Sequence, residues 1–328
     1  MASASYRRDM SNLIMPDASV PIVLIEADDG DDILSLDQDK IAKLYRQHGA
    51  ILLRSFDVEL ERFGRFCRSF CPTAAINDSP GRMVFSEEAA VQSVNLGTAS
   101  FPLHPELSRE PWKPDTAFFA CLNAPSQGGQ TTVCDGIELV RRLPPALRDA
   151  LAARRLVYVM PTFPELFEFW LGTPEPSEAQ LAAPPPQCPY EFRRLPNGNI
   201  VRMFSRPALH KPMFANEPAF GNFLLFARFH NELSNFPLLD TFQPVPEDWL
   251  QAIKAAGDTA SLPVTWQKGD VLMLDNTRFM HGRLAIEDAE ERSIATFFGY
   301  LSFAIPDPEE PSDAVWRLAD FVPPARQT

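Results

Sequence analysis

Proline is the feature that most constrains this chain, because its 328 residues include 32 prolines and only 15 glycines. Proline has no backbone N–H, so it interrupts long helices and long central strands. The sequence therefore predicts short strands joined by long, shaped loops. It contains no GxGxxG motif, no Walker loop and no regular alternation of strands and helices. These absences argue against a nucleotide-binding α/β sheet.

Hydrophobic periodicity predicts helices mainly in the first half of the chain and short strands mainly in the second. Helices are predicted at 37–48, at 57–72 with Asp57 as N-cap, at 137–154 with a break at Pro144–Pro145, and at 246–258. Strands are predicted at 50–56, 89–97, 115–125, 128–136, 199–205 and 291–303, with three more within 262–286. This pattern favours a mainly β fold with flanking helices and a double-stranded β-helix (jelly-roll) core, which leaves few exposed sheet edges.

Charge and cysteine content narrow the class of protein. The net charge of −13 argues against nucleic acid or an anionic membrane as the main partner, but leaves a small molecule open. We expect no signal peptide, since the first residues lack an apolar core, and no membrane span, since runs such as 223–229 are too short. Five cysteines predict reduced, mostly buried thiols in a cytoplasmic enzyme. Cys67 and Cys71 fit a helix core better than a metal pair.

Two of the five histidines lie in contexts suited to metal binding. His104 precedes Glu106 by two residues in PLHPEL, and His281 follows the predicted strand DVLMLD in DNTRFMHGR. An extended HxE places both side chains on one side of the chain, and a distant strand can supply a third ligand. Two histidines and one carboxylate can bind one face of a metal and leave the other face open. The alternatives are a chance charged pair in a turn or a structural zinc site, although structural zinc usually has four protein ligands.

The remaining histidines have simpler interpretations. His48 is expected at the C-terminal end of a helix beside Gly49. His230, in the aromatic stretch ARFHNELSNF, is expected to be a packing histidine. His210 is a candidate substrate residue.

Several segments together resemble one family. SFPLHPELSREPWKPDTAFFACLNAPSQGGQTTVCDG is similar to the metal-binding segment of the taurine dioxygenase-like (TauD/TfdA) superfamily. GDVLMLDNTRFMHGR and the later ERSIATFF resemble its distal histidine and co-substrate arginine motifs, and HGAILLRSF resembles its N-terminal strand. The resemblance spans about residues 36–303. It implies a jelly-roll oxygenase that uses Fe(II), the co-substrate 2-oxoglutarate and O2.

The resemblance assigns site residues by position. It implies that His104, Glu106 and His281 bind the metal. Many relatives have HxD; HxE is found in the branch resembling clavaminate synthase and the free amino-acid β-hydroxylases, which favours an amino-acid-like substrate. The carboxylate argues against a halogenase, which has a small residue there. Thr296 stands where some relatives carry an arginine for an anionic substrate, and this weakens a sulfonate assignment.

The same resemblance assigns the co-substrate site. Arg292 would grip the distal carboxylate of 2-oxoglutarate, because a guanidinium offers two parallel donors. Thr131 would add a hydroxyl. The alternatives are a surface ion pair of Arg292 with Glu290 or Glu291, and a purely structural Thr131 with Thr132 as its rival.

Four further residues are candidates for binding the substrate, each with an alternative structural role. They are Asn95 on the strand leading to the metal, Arg206 and His210 in SRPALHKP, and Arg283 beside the distal histidine, which could instead pair with Asp275. One oxygenase domain is expected over 1–328, with an insertion or lid at 160–195 and 206–245 and a tail at 304–328, including a docked helix around Trp316.

The predicted function is hydroxylation of an unactivated C–H bond of a small amino-acid-like or natural-product substrate, free or carrier-bound, with succinate and CO2 as co-products. Desaturation, epoxidation or cyclisation would begin in the same way. A non-catalytic jelly-roll binding protein is the alternative from another class. The sequence leaves the oligomeric state open.

Overall fold

The computed structural model describes residues 12–17, 20–79, 81–287, 292–318 and 321–325. Its strands are β1 (Leu13–Ile14), β2 (Val23–Glu26), β3 (Ala50–Arg54), β4 (Thr73–Ala74), β5 (Val84–Ser86), β6 (Val91–Ser93), β7 (Phe101–His104), β8 (Thr116–Asn123), β9 (Thr131–Asp135), β10 (Arg155–Pro161), β11 (Glu191–Arg194), β12 (Ile200–Pro207), β13 (Leu238–Leu239), β14 (Ser261–Val264), β15 (Val271–Asp275), β16 (Phe279–Arg283) and β17 (Ser293–Tyr300). Its α-helices are α1 (Gln38–His48), α2 (Leu60–Phe70), α3 (Gly136–Arg142), α4 (Pro145–Ala152), α5 (Pro164–Leu171), α6 (Glu178–Ala182), α7 (Leu224–Phe229) and α8 (Glu247–Ala260).

Two mostly antiparallel sheets form the β-helix core. The larger has the order β1-β2-β3-β15-β8-β17-β6-β5, with β4 also pairing with β17, and the smaller has the order β14-β9-β16-β7. A third sheet, β11-β12-β10-β13, is formed by residues from the middle of the chain. The predicted double-stranded β-helix is confirmed.

The central strands of the larger sheet are apolar on both faces because both faces are covered. In β15, Leu272 and Leu274 belong to the core that also contains Val133 of the smaller sheet. Val271 and Met273 face the other way, into a core that includes side chains of α1 and α2. Successive residues of a strand point to opposite faces, so a run such as VLMLD signals a strand buried on both sides.

Helices α1 to α4 and α8 lie where the sequence predicts helices, whereas α5, α6 and α7 were not predicted, and one predicted N-cap is wrong. α3 and α4 are separated at Pro144 as predicted, and α1 ends at Gly49, whose φ of 75° is left-handed. Asp57 is not the N-cap of α2: Glu59 holds that position without a side-chain cap bond, and Asp57 has a φ of 47°. Asp57 therefore belongs to the preceding turn. In the tail, Trp316 is buried in a short 3-10 helix, Val315–Arg317.

All five cysteines are free thiols, and Cys67 and Cys71 lie in the core beneath α2. Within the described ranges, every helix is too short or too polar to cross a bilayer.

Candidate metal centre

The pairing of β7 with β16 sets the two histidines of the site face to face. His104 is the register partner of His281, and the centroids of their rings are 4.6 Å apart. Opposed residues on antiparallel strands have side chains on the same face of the sheet. That face is the inner one, because the His281 ring also lies 4.8 Å from the ring of Phe119 on β8 of the larger sheet.

Glu106 completes the cluster just beyond the end of β7. Its residue is 2% exposed, and its Oε1 lies 3.3 Å from Nε2 of His281. One ligand atom from each of His104, Glu106 and His281 falls within 4.8 Å of the others. The three side chains singled out in the sequence are thus brought together. A site of two imidazoles and one carboxylate suits Fe(II) chemistry with open coordination positions.

A neutral His104 and an ionised Glu106 are the protonation states that bind a metal cation. His104 Nδ1 lies 2.8 Å from the carbonyl oxygen of Pro102, so Nδ1 donates and Nε2 is left as a lone-pair donor. Burial, reinforced by His281, lowers the pKa of His104 to about 3, which keeps the ring neutral. Burial alone would raise the pKa of Glu106, but Arg82, with both histidines, holds it well below its usual range. The carboxylate is therefore ionised.

Asn276 fixes the backbone at Glu106 and was missed in the sequence. Its Oδ1 accepts the Glu106 N–H at 2.8 Å, and its Nδ2 donates to the carbonyl oxygens of Glu106 at 3.1 Å and Pro114 at 2.8 Å. Asn276 lies in the loop between β15 and β16, directly before the strand that carries His281. Its position inside DNTRFMHGR was the available signal. It ties the two metal-binding segments to each other.

Arg82 and Asn77 also contact Glu106 and were missed as well. Arg82 Nη2 lies 3.0 Å from Oε1, and Asn77 Nδ2 donates to Oε2 at 2.9 Å. Both residues lie in the irregular segment between β4 and β5, where no periodicity or motif distinguishes them.

The predicted co-substrate residues meet at one end of the smaller sheet. Arg292 Nη2 lies 3.5 Å from Thr131 Oγ1, and Arg292 Nε donates to the carbonyl oxygen of Gly129 at 2.9 Å. Burial lowers the pKa of Arg292 to about 10, still far above neutrality, so the group is a cation. Thr131 lies two residues along β9 from Val133, the register partner of His281. At about 3.3 Å per residue this spacing is about 7 Å, enough for a short dicarboxylate.

The glycine pair before Thr131 shapes this end. Gly128 and Gly129 both have left-handed φ values, 70° and 68°. A Cβ on Gly128 would lie 2.2 Å from the carbonyl oxygen of Ala285, so only glycine fits there. Because Gly128 packs directly against the Ala285 backbone, the next carbonyl, that of Gly129, can accept the hydrogen bond from Arg292.

Two alternatives for the co-substrate residues can be compared with the structure. Thr132 is the register partner of Gly282 and lies on the opposite face of β9 from Thr131, so it does not face Arg292. Thr131 Oγ1 also accepts a hydrogen bond from Trp266 Nε1 at 3.1 Å, which holds the hydroxyl in place. Glu290 and Glu291, the alternative partners of Arg292, lie outside the described residues.

Two substrate candidates lie away from the cluster. Arg206 and His210 line a separate cavity of about 740 Å³ whose lining includes none of the three clustered side chains. Arg206 donates to the carbonyl oxygens of Glu110 and Pro111, each at 3.0 Å. His210 Nε2 donates to the carbonyl oxygen of Thr277 at 2.6 Å. Arg206 lies on β12 of the third sheet, not in the two sheets that carry the cluster. A role for Arg206 and His210 in binding substrate stays a prediction.

The other two candidates lie closer. Arg283 does not pair with Asp275: its guanidinium donates to the carbonyl oxygens of Asn95 at 2.8 Å and Ala99 at 2.7 Å, and stacks 4.2 Å from the Phe101 ring centroid. It therefore anchors the loop that leads into β7. Asn95 contributes that carbonyl, and its side-chain Oδ1 is buried without a hydrogen-bond partner among the described residues.

A cluster of aromatic rings, called the aromatic wall here, packs against the ring of His104. The Phe226 ring of α7 lies 4.5 Å from the His104 ring, and Phe101, Phe223 and His230 pack in turn on Phe226. Sequence reasoning placed His230 as a packing residue, and its ring contacts agree. Phe226 was missed because the run FLLFARF reads simply as apolar core.

Comparison with known proteins agrees with this fold. The family described as taurine catabolism dioxygenase TauD, TfdA family matches residues 18–297. A structure of PvcB, described as an Fe, alpha-ketoglutarate dependent oxygenase from an isonitrile synthetic pathway, has a TM-score of 0.57, and a second structure of PvcB from Pseudomonas aeruginosa has a TM-score of 0.58. Each is 16% identical and covers 87% of this chain and 88% of that chain. A taurine dioxygenase from Burkholderia xenovorans has a TM-score of 0.55 at 15% identity, covering 94% of this chain and 100% of that one. No curated protein matches the sequence.

The fold, the His-Glu-His cluster and the family match define a 2-oxoglutarate-dependent dioxygenase that uses Fe(II) and O2. The family match spans most of the residues. The chain belongs to the TauD/TfdA family of dioxygenases.

Proposed function

We propose that this enzyme hydroxylates an unactivated C–H bond of a small amino-acid-like or natural-product substrate, with succinate and CO2 as co-products. The observation that carries the proposal is the convergence of His104, Glu106 and His281 on one point of the inner sheet face. Three protein ligands on one side leave the other side of a metal for co-substrate, oxygen and substrate.

Each residue of the chain has a distinct role in this proposal. His104, Glu106 and His281 would hold Fe(II). Arg292 and Thr131 receive the distal carboxylate of 2-oxoglutarate, the guanidinium through charge-assisted hydrogen bonds and the hydroxyl through a neutral one. Iron with 2-oxoglutarate and O2 supplies the oxidising chemistry, and the protein supplies orientation and a dry site. The ring of Phe226 against His104 and the ring of Phe119 against His281 exclude water from it.

The substrate class is argued from residue 106. Glu106, in place of aspartate, is shared with the branch resembling clavaminate synthase and the amino-acid β-hydroxylases, and this favours an amino acid, free or carrier-bound. Desaturation, epoxidation and cyclisation share the same residues and remain alternative outcomes. The five free thiols suit a reducing compartment, so we place the enzyme in the cytoplasm.

The experiment that tests the function is anaerobic addition of Fe(II) and 2-oxoglutarate, followed by visible absorption. We expect a weak charge-transfer band that His104→Ala abolishes and His48→Ala retains. A screen of amino acids and carrier-bound aminoacyl groups for succinate release then identifies the substrate. If the wild type shows no band and its Fe(II) affinity equals that of His104→Ala, the oxygenase assignment of these residues is wrong.

A further inference from the structure

Arg82 is a buried cation placed beside the metal-binding carboxylate. Its side chain is 7% exposed and Nη2 lies 3.0 Å from Glu106 Oε1. Nη1 donates to Thr296 Oγ1 at 3.2 Å and to the Ser93 carbonyl oxygen at 3.3 Å, and the guanidinium lies 5.1 Å from the Phe298 ring centroid. These contacts come from β6 and β17, so the larger sheet fixes the guanidinium.

Asn77 holds the other oxygen of the same carboxylate. Its Nδ2 donates to Glu106 Oε2 at 2.9 Å. The main chain of Asn77 is fixed in turn by Gln92 of β6, whose Oε1 accepts the Asn77 N–H at 3.1 Å and whose Nε2 donates to the Asn77 carbonyl at 2.9 Å. Both Asn77 and Gln92 are 6% exposed. The two oxygens of Glu106 are thus held by two different side chains, both of which are fixed by β6.

A glutamate ligand needs more restraint than an aspartate. It has one more rotatable bond, and freezing a long side chain costs conformational entropy when the metal binds. Groups that hydrogen-bond a ligating carboxylate before the metal arrives remove that cost and set its direction. Asn276 already fixes the Glu106 backbone, so the carboxylate end is what remains to be held.

We propose that Arg82 and Asn77 are positioning residues that clamp the Glu106 carboxylate in its metal-binding orientation, and that this clamp makes the site dependent on glutamate rather than aspartate. The proposal rests on the assignment of Glu106 as a metal ligand in the proposed function. Shortening residue 106 to aspartate would draw the carboxylate back from both clamp residues. The shorter side chain would extend less far toward the metal, and it would lose its hydrogen bonds to Arg82 and Asn77.

Two other roles for Arg82 predict different results. A purely structural arginine would affect folding but not metal affinity. An arginine reserved for an anionic substrate group would also leave the affinity for metal alone unchanged, or would raise it on removal, because its positive charge repels the cation.

The test is anaerobic equilibrium dialysis against Fe(II) alone, without 2-oxoglutarate. The variants are Arg82→Met, Arg82→Lys, Asn77→Ala and Glu106→Asp. The control is Arg317→Met, which removes a similar arginine–carboxylate contact, 3.0 Å from Asp115, at a different place in the fold. Loss of a group that supports a metal ligand typically costs about 10- to 100-fold in affinity. We expect losses in that range for Arg82→Met and Asn77→Ala, and none for Arg317→Met.

Two further comparisons separate geometry from charge. Arg82→Lys keeps the charge but cannot span Glu106, Thr296 and Ser93 together, so we expect it to lose affinity as well. In a Glu106→Asp background Asn77→Ala should have little additional effect, because both changes act through one carboxylate.

These measurements distinguish failure of the positioning role of Arg82 and Asn77 from failure of the proposed function. If the wild type binds Fe(II) but Arg82→Met and Asn77→Ala bind it equally well or more tightly, the clamp is wrong and the function stands. If Arg82→Met does not fold, Arg82→Lys and Asn77→Ala decide by the same criterion. If the wild type itself does not bind Fe(II), the proposed function fails first.

Discussion

His104 and His281 are partners in the register of β7 and β16, and their ring centroids lie 4.6 Å apart. The pairing of two strands that are distant in sequence thus sets the separation of two metal-binding groups. The register shifts just beyond this pair, between His281 and Arg283. The site therefore depends on how closely β7 approaches β16 at Gly282.

Gly282→Ala should weaken metal binding without changing a ligand. A Cβ there would lie 2.6 Å from the Phe101 carbonyl oxygen and 2.7 Å from Thr132 Oγ1, so β7 must move away from β16. Overpacking of this kind costs about 1–3 kcal/mol in the free energy of unfolding. We expect Fe(II) affinity to fall as well, measured by anaerobic dialysis.

Gly64→Ala is the control for that variant. Its Cβ would lie 2.7 Å from Ala89 Cβ, under α2 and on the other face of the larger sheet. It should lower stability with unchanged Fe(II) affinity. Equal affinity in Gly282→Ala and the wild type would show that the register of β7 does not control the site.

Removing any one of His104, Glu106 or His281 should abolish useful metal binding. Changes to groups that only support a ligand cost about 10- to 100-fold, so loss of a ligand in an alanine variant should cost more than about 100-fold. His230→Ala, which removes a ring that packs on Phe226 but is not part of the cluster, should bind Fe(II) nearly as well as the wild type. An alanine variant of any of the three that retains wild-type affinity would remove that residue from the ligand set.

Arg292 and Thr131 should control the affinity for 2-oxoglutarate and not for iron. Hydrogen bonds to charged groups contribute about 1.5–3 kcal/mol, so Arg292→Gln should raise the half-saturating 2-oxoglutarate concentration about 10- to 150-fold. Thr131→Val, which loses a neutral hydroxyl, should raise it by about 2- to 10-fold. The measurement is titration of the charge-transfer band at saturating Fe(II). Thr132→Val is the matched control, since its side chain lies on the opposite face of β9, and an equal effect there would reverse the assignment.

Features that depend on neighbouring residues could be predicted from the sequence, and features that depend on tertiary packing could not. HxE keeps two ligands within two residues of each other, although Glu106 lies in the turn after β7 and not in extended chain. VLMLD marks a strand buried on both faces. Both features are local in sequence, so both were predictable. Arg82 and Asn77 reach Glu106 from an irregular loop, where no period fixes the direction of a side chain. Their role follows from tertiary packing.

The position of Arg206 and His210 relative to the cluster could not be predicted for a different reason. Both follow a predicted strand with basic and polar neighbours, as substrate-binding residues often do. That strand, β12, pairs with β10 and β11 in the third sheet. The residues of a strand do not determine which sheet it joins. The prediction of Asp57 as an N-cap is wrong for a local reason. Asp57 has a left-handed φ, and the helix starts three residues later.

His210 should make the stability of the enzyme depend on pH. Burial, reinforced by Lys113 and then Arg206, lowers the pKa of His210 to about 3 from an ordinary value near 6.5. Between these values the unfolded chain protonates the imidazole and the folded chain does not. The unfolded state then binds more protons, so the free energy of unfolding falls as the pH is lowered from about 6.5 toward 3. One group can contribute a slope of at most about 1.4 kcal/mol per pH unit.

His210→Gln removes that titration and keeps an N–H that can donate to the Thr277 carbonyl. Comparing urea unfolding of the variant and the wild type between pH 4 and 7.5 cancels the other titrating groups, including Asp275, whose pKa is raised to about 6 by burial and acts in the opposite direction. We expect the wild type to lose more stability than the variant as the pH falls. Lys211→Gln, a change at an exposed neighbour, should keep the wild-type slope. Parallel curves for His210→Gln and the wild type would mean that His210 is protonated in the folded enzyme, in conflict with its enclosure beside two cations.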